Sequence, residues 1–270
     1  MNQIELINVR KDYTTKTLGT VTAVNNFNLT IKKGECFSFL GPSGCGKTTT
    51  LRMLAGFEDL SEGEIRLEGK VVSNKAKNLY VPPEHRNLGM VFQAFAVWPH
   101  LNVFDNVAFP LQVQKRPKAE IEERVNLALK QTNLLDQAKV FPSDLSGGEQ
   151  QRIALARSIV VNPGILLLDE PLSNLDPKLR ESMRFEIKRL QKEYNFTIVF
   201  VTHDQSEALA LSDRLLVMNK GEIIQIGTPQ ELYNKPVNLF VHNFLGESNF
   251  TKVTYRDGKV YADGDTTQPL

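Results

Sequence analysis

The sequence is short of several features that would assign it to a particular class of protein. Its 270 residues include only two cysteines, Cys36 and Cys45. These are too few and too close together for a disulfide framework, so we expect a reducing compartment. No apolar run reaches the roughly 18 residues of a membrane-spanning helix. The first ten residues lack the cationic and apolar segments of a secretory signal, so we expect a protein that does not span a membrane.

An excess of charge of one sign is also missing. Lys and Arg total 32 against 31 Asp and Glu, which gives a formal net charge of +1. A nearly neutral chain creates no overall positive electrostatic potential that would attract nucleic acid, so we expect no nucleic-acid partner. The hydrophobic share of 41% is ordinary for a globular protein, and the length is sufficient for a large core.

Short apolar segments alternate with helical segments along the chain. Alternating apolar residues predict strands at residues 4–9 and 27–31. Continuous apolar segments predict buried strands at residues 36–40, 165–168 and 197–201. Helical patterns occupy residues 47–55, 118–132, 147–160 and 177–193. Buried strands that alternate with helices indicate an α/β fold with a mostly parallel sheet flanked by helices.

The middle of the chain has a different character from the segments on either side. In residues 118–132, one helical face carries Ile121, Val125, Ala128 and Leu129, and charged residues lie opposite. We therefore predict a helical subdomain inserted into the sheet domain at about residues 93–154.

A glycine-rich loop follows the predicted strand at residues 36–40. It fits the pattern G-x-x-x-x-G-K-[ST] with Gly41, Pro42, Ser43, Gly44, Cys45, Gly46, Lys47 and Thr48, and Thr49 comes next. The glycines let backbone N–H groups point at phosphate oxygens, and the following helix adds its positive end. The pattern predicts a nucleoside triphosphate site in which Lys47 reaches the β- and γ-phosphates and Thr48 ligates Mg²⁺. The alternative is a chance glycine-rich turn.

Two acids end the predicted strand at residues 165–168. Asp169 and Glu170 would face the same crevice as the phosphate loop, because the carboxyl ends of parallel strands share one edge. Asp169 is suited to hold Mg²⁺, and Glu170 to polarise a water that attacks the γ-phosphate. His203 follows the next predicted strand in the same way and could orient that water or Glu170. A strand end that simply meets solvent is the alternative interpretation.

The segment from residue 145 to residue 152 distinguishes between classes of nucleotide-binding protein. Ser146 and Glu149 form a capping-box pattern that opens a helix. Gly147 and Gly148, however, weaken a first helical turn by about 1 kcal/mol each. Their presence favours close approach of a ligand, such as a phosphate on the helix N-terminus.

With these motifs in this order, the chain resembles the ATPases of ABC transporters over nearly its whole length. The resemblance implies a P-loop NTPase core with an antiparallel β subdomain, and it implies that ATP and Mg²⁺ are the cofactors. It also implies that Ser146, Gly147 and Gly148 cap the γ-phosphate held by the other subunit of a head-to-tail dimer. Gln93 matches a glutamine near Mg²⁺ and the transmembrane partner, and Asp176 ends a loop that contacts the opposite subunit.

Two positions depart from the family pattern. Glu149 stands where many members have Gln. Tyr13 resembles the aromatic residue that stacks on adenine, but the segment from residue 14 to residue 22 is longer than usual.

A narrower resemblance is to importer ATPases that serve solute-binding proteins, carried by residues 82–86, 96–100 and 240–247. It implies permease subunits as partners, a homodimer or a pair with a similar ATPase, and a peripheral location on the cytoplasmic side of the membrane. Within that group, ferric iron is the first expectation for the solute, and polyamine or sugar is the alternative.

We divide the chain into an ATPase domain at residues 1–237 and the start of a C-terminal β regulatory region at residues 238–270. The second region contains a predicted hairpin at residues 251–262, which turns at Asp257 and Gly258.

Two other functions compete with transport. A soluble ABC ATPase acting on DNA would carry a long coiled coil between Thr48 and Ser146, and that segment has no sustained heptads. A member acting on ribosomes would carry two ATPase cassettes in one chain, whereas this sequence contains one. A catalytically inactive regulator would lack some of the reactive residues, yet Lys47, Asp169 and Glu170 are all present.

Cys45 offers a chemical test of the phosphate loop. It lies close to a helix N-terminus and to Lys47, both of which lower the pKa of a thiol. We therefore expect alkylation of Cys45 to inactivate the protein and ATP to protect it. If Cys45 is instead a small buried residue that only fills space, it should react little with alkylating agents.

Overall fold

The computed structural model describes residues 1–15, 19–246, 252–256 and 258–262. At its centre is a six-stranded sheet, in which one edge strand is antiparallel to its neighbour and the other five strands are parallel to one another. Its strands in spatial order are β11 (Glu222–Gly227), β10 (Arg214–Asn219), β3 (Cys36–Leu40), β9 (Thr197–Thr202), β8 (Ile165–Asp169) and β7 (Leu88–Val91). The three predicted buried strands are confirmed as β3, β8 and β9, in which every residue is buried.

A second sheet is entirely antiparallel. Its spatial order is β2 (Gly19–Lys32), β1 (Asn2–Thr15), β4 (Glu62–Leu67), β5 (Lys70–Asn74) and β6 (Leu79–Tyr80). The two predicted strands lie within β1 and β2 but are much shorter than them. Asn8 and Asn26 have φ values of 48° and 42° at irregular points of the pairing, and these kinks interrupt the alternation.

Eight helices lie within the described residues. They are α1 (Lys47–Ala55), α2 (Val103–Val113), α3 (Lys118–Gln131), α4 (Gly147–Ile159), α5 (Pro177–Tyr194), α6 (Gln205–Leu211), α7 (Pro229–Asn234) and α8 (Leu239–Leu245). Single 3₁₀ turns occur at Pro83–His85, Leu135–Gln137 and Pro142–Asp144. The four predicted helices are confirmed as α1, α3, α4 and α5, with ends that differ by at most one residue. The middle segment contains α2 as well, in spite of the internal Pro110.

Apolar side chains cover both faces of the central sheet. On one face, Phe39 and Val201 share a core with Leu51 of α1 and with Phe27 of the antiparallel sheet. On the other face, Leu168 and Phe200 share a core with residues of α2 to α5, including Val107, Val125, Ile153 and Ile187. The central sheet is therefore a buried layer, and the reactive side chains at its carboxyl end lie at or just after the last strand residues.

Arg86 closes the far end of α1. Its guanidinium donates to the carbonyls of Met53 and Leu54 at 2.7 and 3.0 Å, and to that of Val81 at 2.6 Å. The residue is 5% exposed, and burial lowers its pKa. A cation at this end complements the negative end of the α1 dipole. It supplies a donor to the Leu54 carbonyl and a second donor to the Met53 carbonyl, which also accepts the Gly56 N–H at 3.3 Å.

The last part of the chain contains a helix and a hairpin. Val241 and Leu245 of α8 pack with Leu215 and Leu232, so the region predicted as the start of a β domain opens with a helix. The predicted hairpin is present as β12 (Val253–Arg256) and β13 (Lys259–Ala262), while its turn residue Asp257 lies outside the described residues, as do residues 247–251. Across the ranges that the structure describes, no helix combines the length and apolar character of a membrane span.

Candidate nucleotide-binding site

The phosphate loop connects β3 to α1, and two of its glycines are required by their surroundings. Gly46 has a φ of 106°, and a Cβ there would lie 2.3 Å from the Ala23 carbonyl oxygen. A Cβ on Gly41 would lie 2.3 Å from the Met218 carbonyl oxygen. Because Gly46 occupies the N-cap of α1, no side chain caps the first N–H groups of this helix. Those N–H groups are available to phosphate oxygens.

Lys47 holds its charge inside the curl of this loop. The residue is 5% exposed, and its Nζ donates to the carbonyls of Gly41 at 2.7 Å and Pro42 at 3.0 Å. Both partners are neutral, so the cation has no carboxylate counter-ion in these hydrogen bonds. An ammonium group in a ring of backbone groups, next to uncapped N–H groups, is suited to bind a polyphosphate.

Cys45 differs from the prediction made for its chemistry. Burial raises the pKa of the Cys45 thiol, and the nearby Lys47 ammonium lowers it by less. The expectation of an activated thiol is therefore wrong, because Cys45 is only 3% exposed and loss of hydration outweighs the neighbouring charge. The thiol instead fills space beneath the loop, since a Cβ on Gly41 would lie 2.7 Å from its Sγ.

Thr48 and Asp169 meet in front of the loop. The Thr48 hydroxyl donates to Asp169 Oδ1 at 3.2 Å. Burial raises the pKa of Asp169, which is 7% exposed, and the hydrogen bond from Thr48 partly offsets this shift. A hydroxyl and a carboxylate that converge beside a phosphate loop fit Mg²⁺, which takes one or two protein ligands and completes its shell with water and phosphate oxygens. No cluster of three or more His, Cys, Asp or Glu suited to a metal occurs in the part of the chain that the structure describes.

Glu170 and His203 are in contact at the ends of neighbouring strands. His203 Nδ1 lies 3.1 Å from Glu170 Oε2, and Gln93 Nε2 donates to the same oxygen at 3.3 Å. Glu170 has a φ of 44°, and its N–H donates to the Val201 carbonyl at 2.9 Å. The carboxylate lies between Gln93 and His203, which follow the two strands on either side of β8. Gln93 therefore contacts Glu170 here, whereas its predicted role as a metal ligand stays a prediction.

Ser146 caps α4 in the way that the sequence predicts. Its Oγ donates to Glu149 Oε2 at 2.7 Å, and its N–H donates to the same oxygen at 2.8 Å. A Cβ on Gly148 would lie 2.9 Å from the end of the Leu179 side chain of α5, which would have to move to accommodate it. At Gly147 the nearest atom, on Phe95, would be 3.5 Å away. The space around Gly147 would therefore accommodate a small side chain. That the glycine allows a ligand to approach the backbone closely stays a prediction.

The segment 173–176 joins the acidic strand end to α5. Asp176 caps α5 by accepting the N–H groups of Lys178 and Leu179, both at 3.1 Å. Asn174 donates to the Gln93 carbonyl at 2.9 Å, and the Ser173 hydroxyl donates to the Glu170 carbonyl at 2.9 Å. This segment is thus tied to both Gln93 and Glu170.

Tyr13 lies on β1 close to the phosphate loop. It pairs with Val21 of β2, and Ala23, two residues further along β2, approaches Gly46. The Lys11 ammonium lies 4.8 Å from the centre of the Tyr13 ring. The location agrees with an adenine-stacking role, which stays a prediction. Residues 16–18 of the longer connection lie outside the described residues.

Sequence patterns missed the residues that support the His203 loop. Thr202 donates to Glu207 at 2.7 Å, and Arg180 lies beside both Glu207 and Asp204. The only local signal is Asp204 followed three residues later by Glu207, which predicts a helix cap. The contacts of Arg180 join residues distant in sequence, so no local pattern reports them.

A mostly parallel sheet with a phosphate loop after β3 and an acidic pair at the end of β8 defines a P-loop nucleoside triphosphatase. The sequence profile of the ABC transporter family matches residues 24–173. The chain belongs to the ABC transporter family, and the prediction of an ABC-type ATPase domain is confirmed.

Curated relatives are similar over most of this chain. The spermidine/putrescine import ATP-binding protein PotA of Haemophilus ducreyi is 52% identical over 251 residues, which are 93% of this chain and 65% of the relative. The trehalose/maltose import ATP-binding protein MalK of Thermococcus litoralis is 48% identical over 249 residues, which are 92% of this chain and 66% of the relative. The chain thus spans just under two thirds of the length of these relatives.

Solved structures of ABC cassettes share the fold. A dimeric structure of MJ0796, described as a bacterial ABC transporter cassette, is 34% identical with a TM-score of 0.72 and covers 84% of this chain and 98% of its own. A second dimeric structure of MJ0796, in a post-hydrolysis state bound to ADP and Pi, is 33% identical with the same TM-score and the same coverage. The predicted P-loop fold class is confirmed.

Proposed function

We propose that this protein is the ATP-binding and ATP-hydrolysing subunit of an ABC importer. The observation that carries the proposal is the convergence of four reactive groups at the carboxyl ends of three adjacent strands. Lys47 follows β3, Asp169 is the last residue of β8 and Glu170 follows it, and His203 follows β9. This is the set that ATP hydrolysis requires: a cation for the phosphates, a metal ligand, a base and a group that orients the base.

Each residue has a defined part in hydrolysis. Lys47 and the N–H groups at the start of α1 bind the β- and γ-phosphates. Thr48 and Asp169 would hold Mg²⁺, which neutralises charge on the phosphates when bound. Glu170 orients the attacking water and accepts its proton, while His203 holds the carboxylate through the 3.1 Å contact.

The position of Ser146 supports a composite site between two subunits. Ser146 forms hydrogen bonds with Glu149. The neighbouring glycines of α4 face Phe95, Leu175 and Leu179. None of these contacts joins the α4 N-terminus to the phosphate loop at residues 41–48 of the same chain. A second copy, or a similar ATPase, packed head to tail would bring its Ser146 helix to this loop, and MJ0796 forms a dimer.

The importer assignment follows from the relatives. Both named relatives are import ATP-binding proteins, so we expect permease subunits as direct partners and a solute-binding protein as an indirect one. Such a subunit is peripheral on the cytoplasmic side of the membrane. A polyamine is the favoured solute, because PotA of Thermobifida fusca is also similar, with 53% identity over 246 residues. A sugar is the second candidate because of the similarity to MalK, whereas ferric iron gains no support from these relatives.

Hydrolysis and uptake test separate parts of the proposal. The purified chain should hydrolyse ATP with Mg²⁺ present, and Lys47→Ala should abolish this activity. The chain should also restore spermidine uptake to cells that lack their own polyamine-import ATPase, with Lys47→Ala as the inactive control and maltose uptake measured in parallel. Restored maltose uptake alone would select the sugar alternative. Absence of ATP hydrolysis by the wild-type chain would refute the proposed function.

A further inference from the structure

The loop that carries His203 is held by the residues on either side of it. The Thr202 hydroxyl donates to Glu207 Oε2 at 2.7 Å and accepts the Asp204 N–H at 2.9 Å. Asp204 in turn accepts the Glu207 N–H at 3.1 Å. The His203 side chain is 57% exposed, so packing around the ring does little to fix it. Its position against Glu170 depends on this frame of hydrogen bonds.

Glu207 is an acid in a buried position within that frame. The residue is 3% exposed, and burial raises its pKa. Its Oε1 lies 3.6 Å from Arg180 Nε, and the Arg180 charge counteracts the effect of burial. A buried carboxylate is stable only with hydrogen-bond donors and an opposite charge, which Thr202 and Arg180 supply.

Arg180 also reaches beyond Glu207 in two directions. One terminal nitrogen donates to Asp204 Oδ2 at 3.4 Å, and the other donates to the Leu175 carbonyl at 3.3 Å. Its backbone N–H donates to the Asp176 carbonyl at 2.8 Å. A single guanidinium thus connects the segment 173–176 to the His203 loop.

The guanidinium has room to move. A cavity of about 40 Å³ lies beside it, bordered by Glu170, Ser173 and His203 as well as by Arg180 itself. The side-chain contacts of Arg180, at 3.3–3.6 Å, are longer than the roughly 2.7–2.9 Å of tight charge-assisted hydrogen bonds. A small displacement of the segment 173–176 could therefore tighten or loosen the contacts of Arg180 with the His203 loop.

We propose that Arg180 is a positioning residue that couples the segment 173–176 to the placement of His203 against Glu170. The inference rests on the proposed function and on the family resemblance, which implies that this segment contacts the opposite subunit. Docking of that subunit would shift the Leu175 carbonyl, and the guanidinium would transmit the shift to Asp204 and Glu207. A merely structural counter-ion for Glu207 would stabilise the fold without acting through His203.

The first experiment compares Arg180→Met with Arg180→Lys in the full chain. We expect kcat for ATP hydrolysis to fall about tenfold or more in the Met variant, because a misplaced catalytic group costs about that much. The dissociation constant for ATP should not change, since Arg180 makes no contact with the phosphate loop in the hydrogen bonds and ion pairs of the described residues. Lys keeps the charge but cannot span Asp204 and Leu175 at once, so its kcat should be intermediate. Arg189→Met, which removes surface ion pairs from the same helix, is the matched control.

The second experiment repeats the substitution in a His203→Ala background. If Arg180 acts through His203, Arg180→Met should lower the residual hydrolysis by less than about twofold there. A full tenfold loss in that background would overturn the inference, and so would an unchanged kcat in the single Met and Lys variants. The Lys variant supplies the measurement if the Met variant does not fold. A wild-type chain without ATPase activity would overturn the proposed function as well, whereas normal wild-type activity with an additive double variant overturns this inference alone.

Discussion

Replacing Glu170 by Gln tests the assignment of the catalytic base. The substitution keeps the shape of the side chain, and the amide oxygen can occupy the position of Oε2, where it still accepts from Gln93 and faces His203. What is lost is the carboxylate charge that attracts the proton of the attacking water. The fold should be almost unaffected, because the two retained contacts are those that hold the side chain.

The size of the expected loss follows from the role of Glu170. General-base catalysis contributes about 10²–10⁴-fold, or roughly 3–5 kcal/mol of transition-state stabilisation. We expect hydrolysis to fall by that factor, while ATP binding persists because Lys47 and the α1 N-terminus are unchanged. The bound ATP should then accumulate, and the variant should run as an ATP-dependent dimer on gel filtration.

The measurement is phosphate release at saturating ATP, together with the dissociation constant for ATP. Glu122→Gln removes an exposed carboxylate of α3 and is the control for the general effect of losing a charge. Turnover of Glu170→Gln within about threefold of the wild type would show that the base is another group. A large loss accompanied by equally weak ATP binding would instead indicate damage to the phosphate loop.

Three further predictions address the composite site, the thiol and the helix cap. Lys47→Ala and Ser146→Arg should each be inactive, yet mixed dimers would contain one intact site, so mixing should restore up to about a quarter of normal activity; no recovery despite subunit exchange would contradict a shared site. Iodoacetamide should label Cys45 slowly at neutral pH, because its raised pKa leaves little thiolate, and rapid labelling in the native state would contradict its burial. Arg86→Met should lower the free energy of unfolding by about 3 kcal/mol, as the carbonyls of Met53, Leu54 and Val81 lose a charged donor, and an unchanged urea midpoint would contradict the proposed cap.

Sequence patterns predict the central part of the fold well and its periphery poorly. The strands β3, β8 and β9 are continuous apolar segments, and α1, α3, α4 and α5 have strong periodicity or cap signals. By contrast, β10 and β11 form the far edge of the sheet but were not predicted. β11 has only partly buried or exposed residues, so its pattern carries little information about a buried face.

In the candidate site, too, features set by local sequence were predicted, and features set by contacts between distant residues were not. Motifs with fixed spacing located the phosphate loop, the acidic pair and His203, because each pattern reflects a local backbone geometry. The pKa of Cys45 was predicted in the wrong direction, since its burial depends on residues far away in the chain, such as Met218 beside Gly41. The role of Arg180 was missed because it joins α5 to α6, which pack together only in the folded chain.

The glycines of the two motifs differ in what they imply about function. In the phosphate loop, Gly41 and Gly46 are required by backbone atoms of the same chain, so they would be needed to fold this turn even without a ligand. At the N-terminus of α4, a Cβ on Gly148 would require only the flexible end of the Leu179 side chain to move, and a Cβ on Gly147 would make ordinary van der Waals contacts with Phe95 and Leu175. No backbone atom near these two positions in the described part of the chain obliges either residue to be glycine. Both glycines therefore agree with the close approach of a phosphate held by a second subunit, which is what a shared site requires.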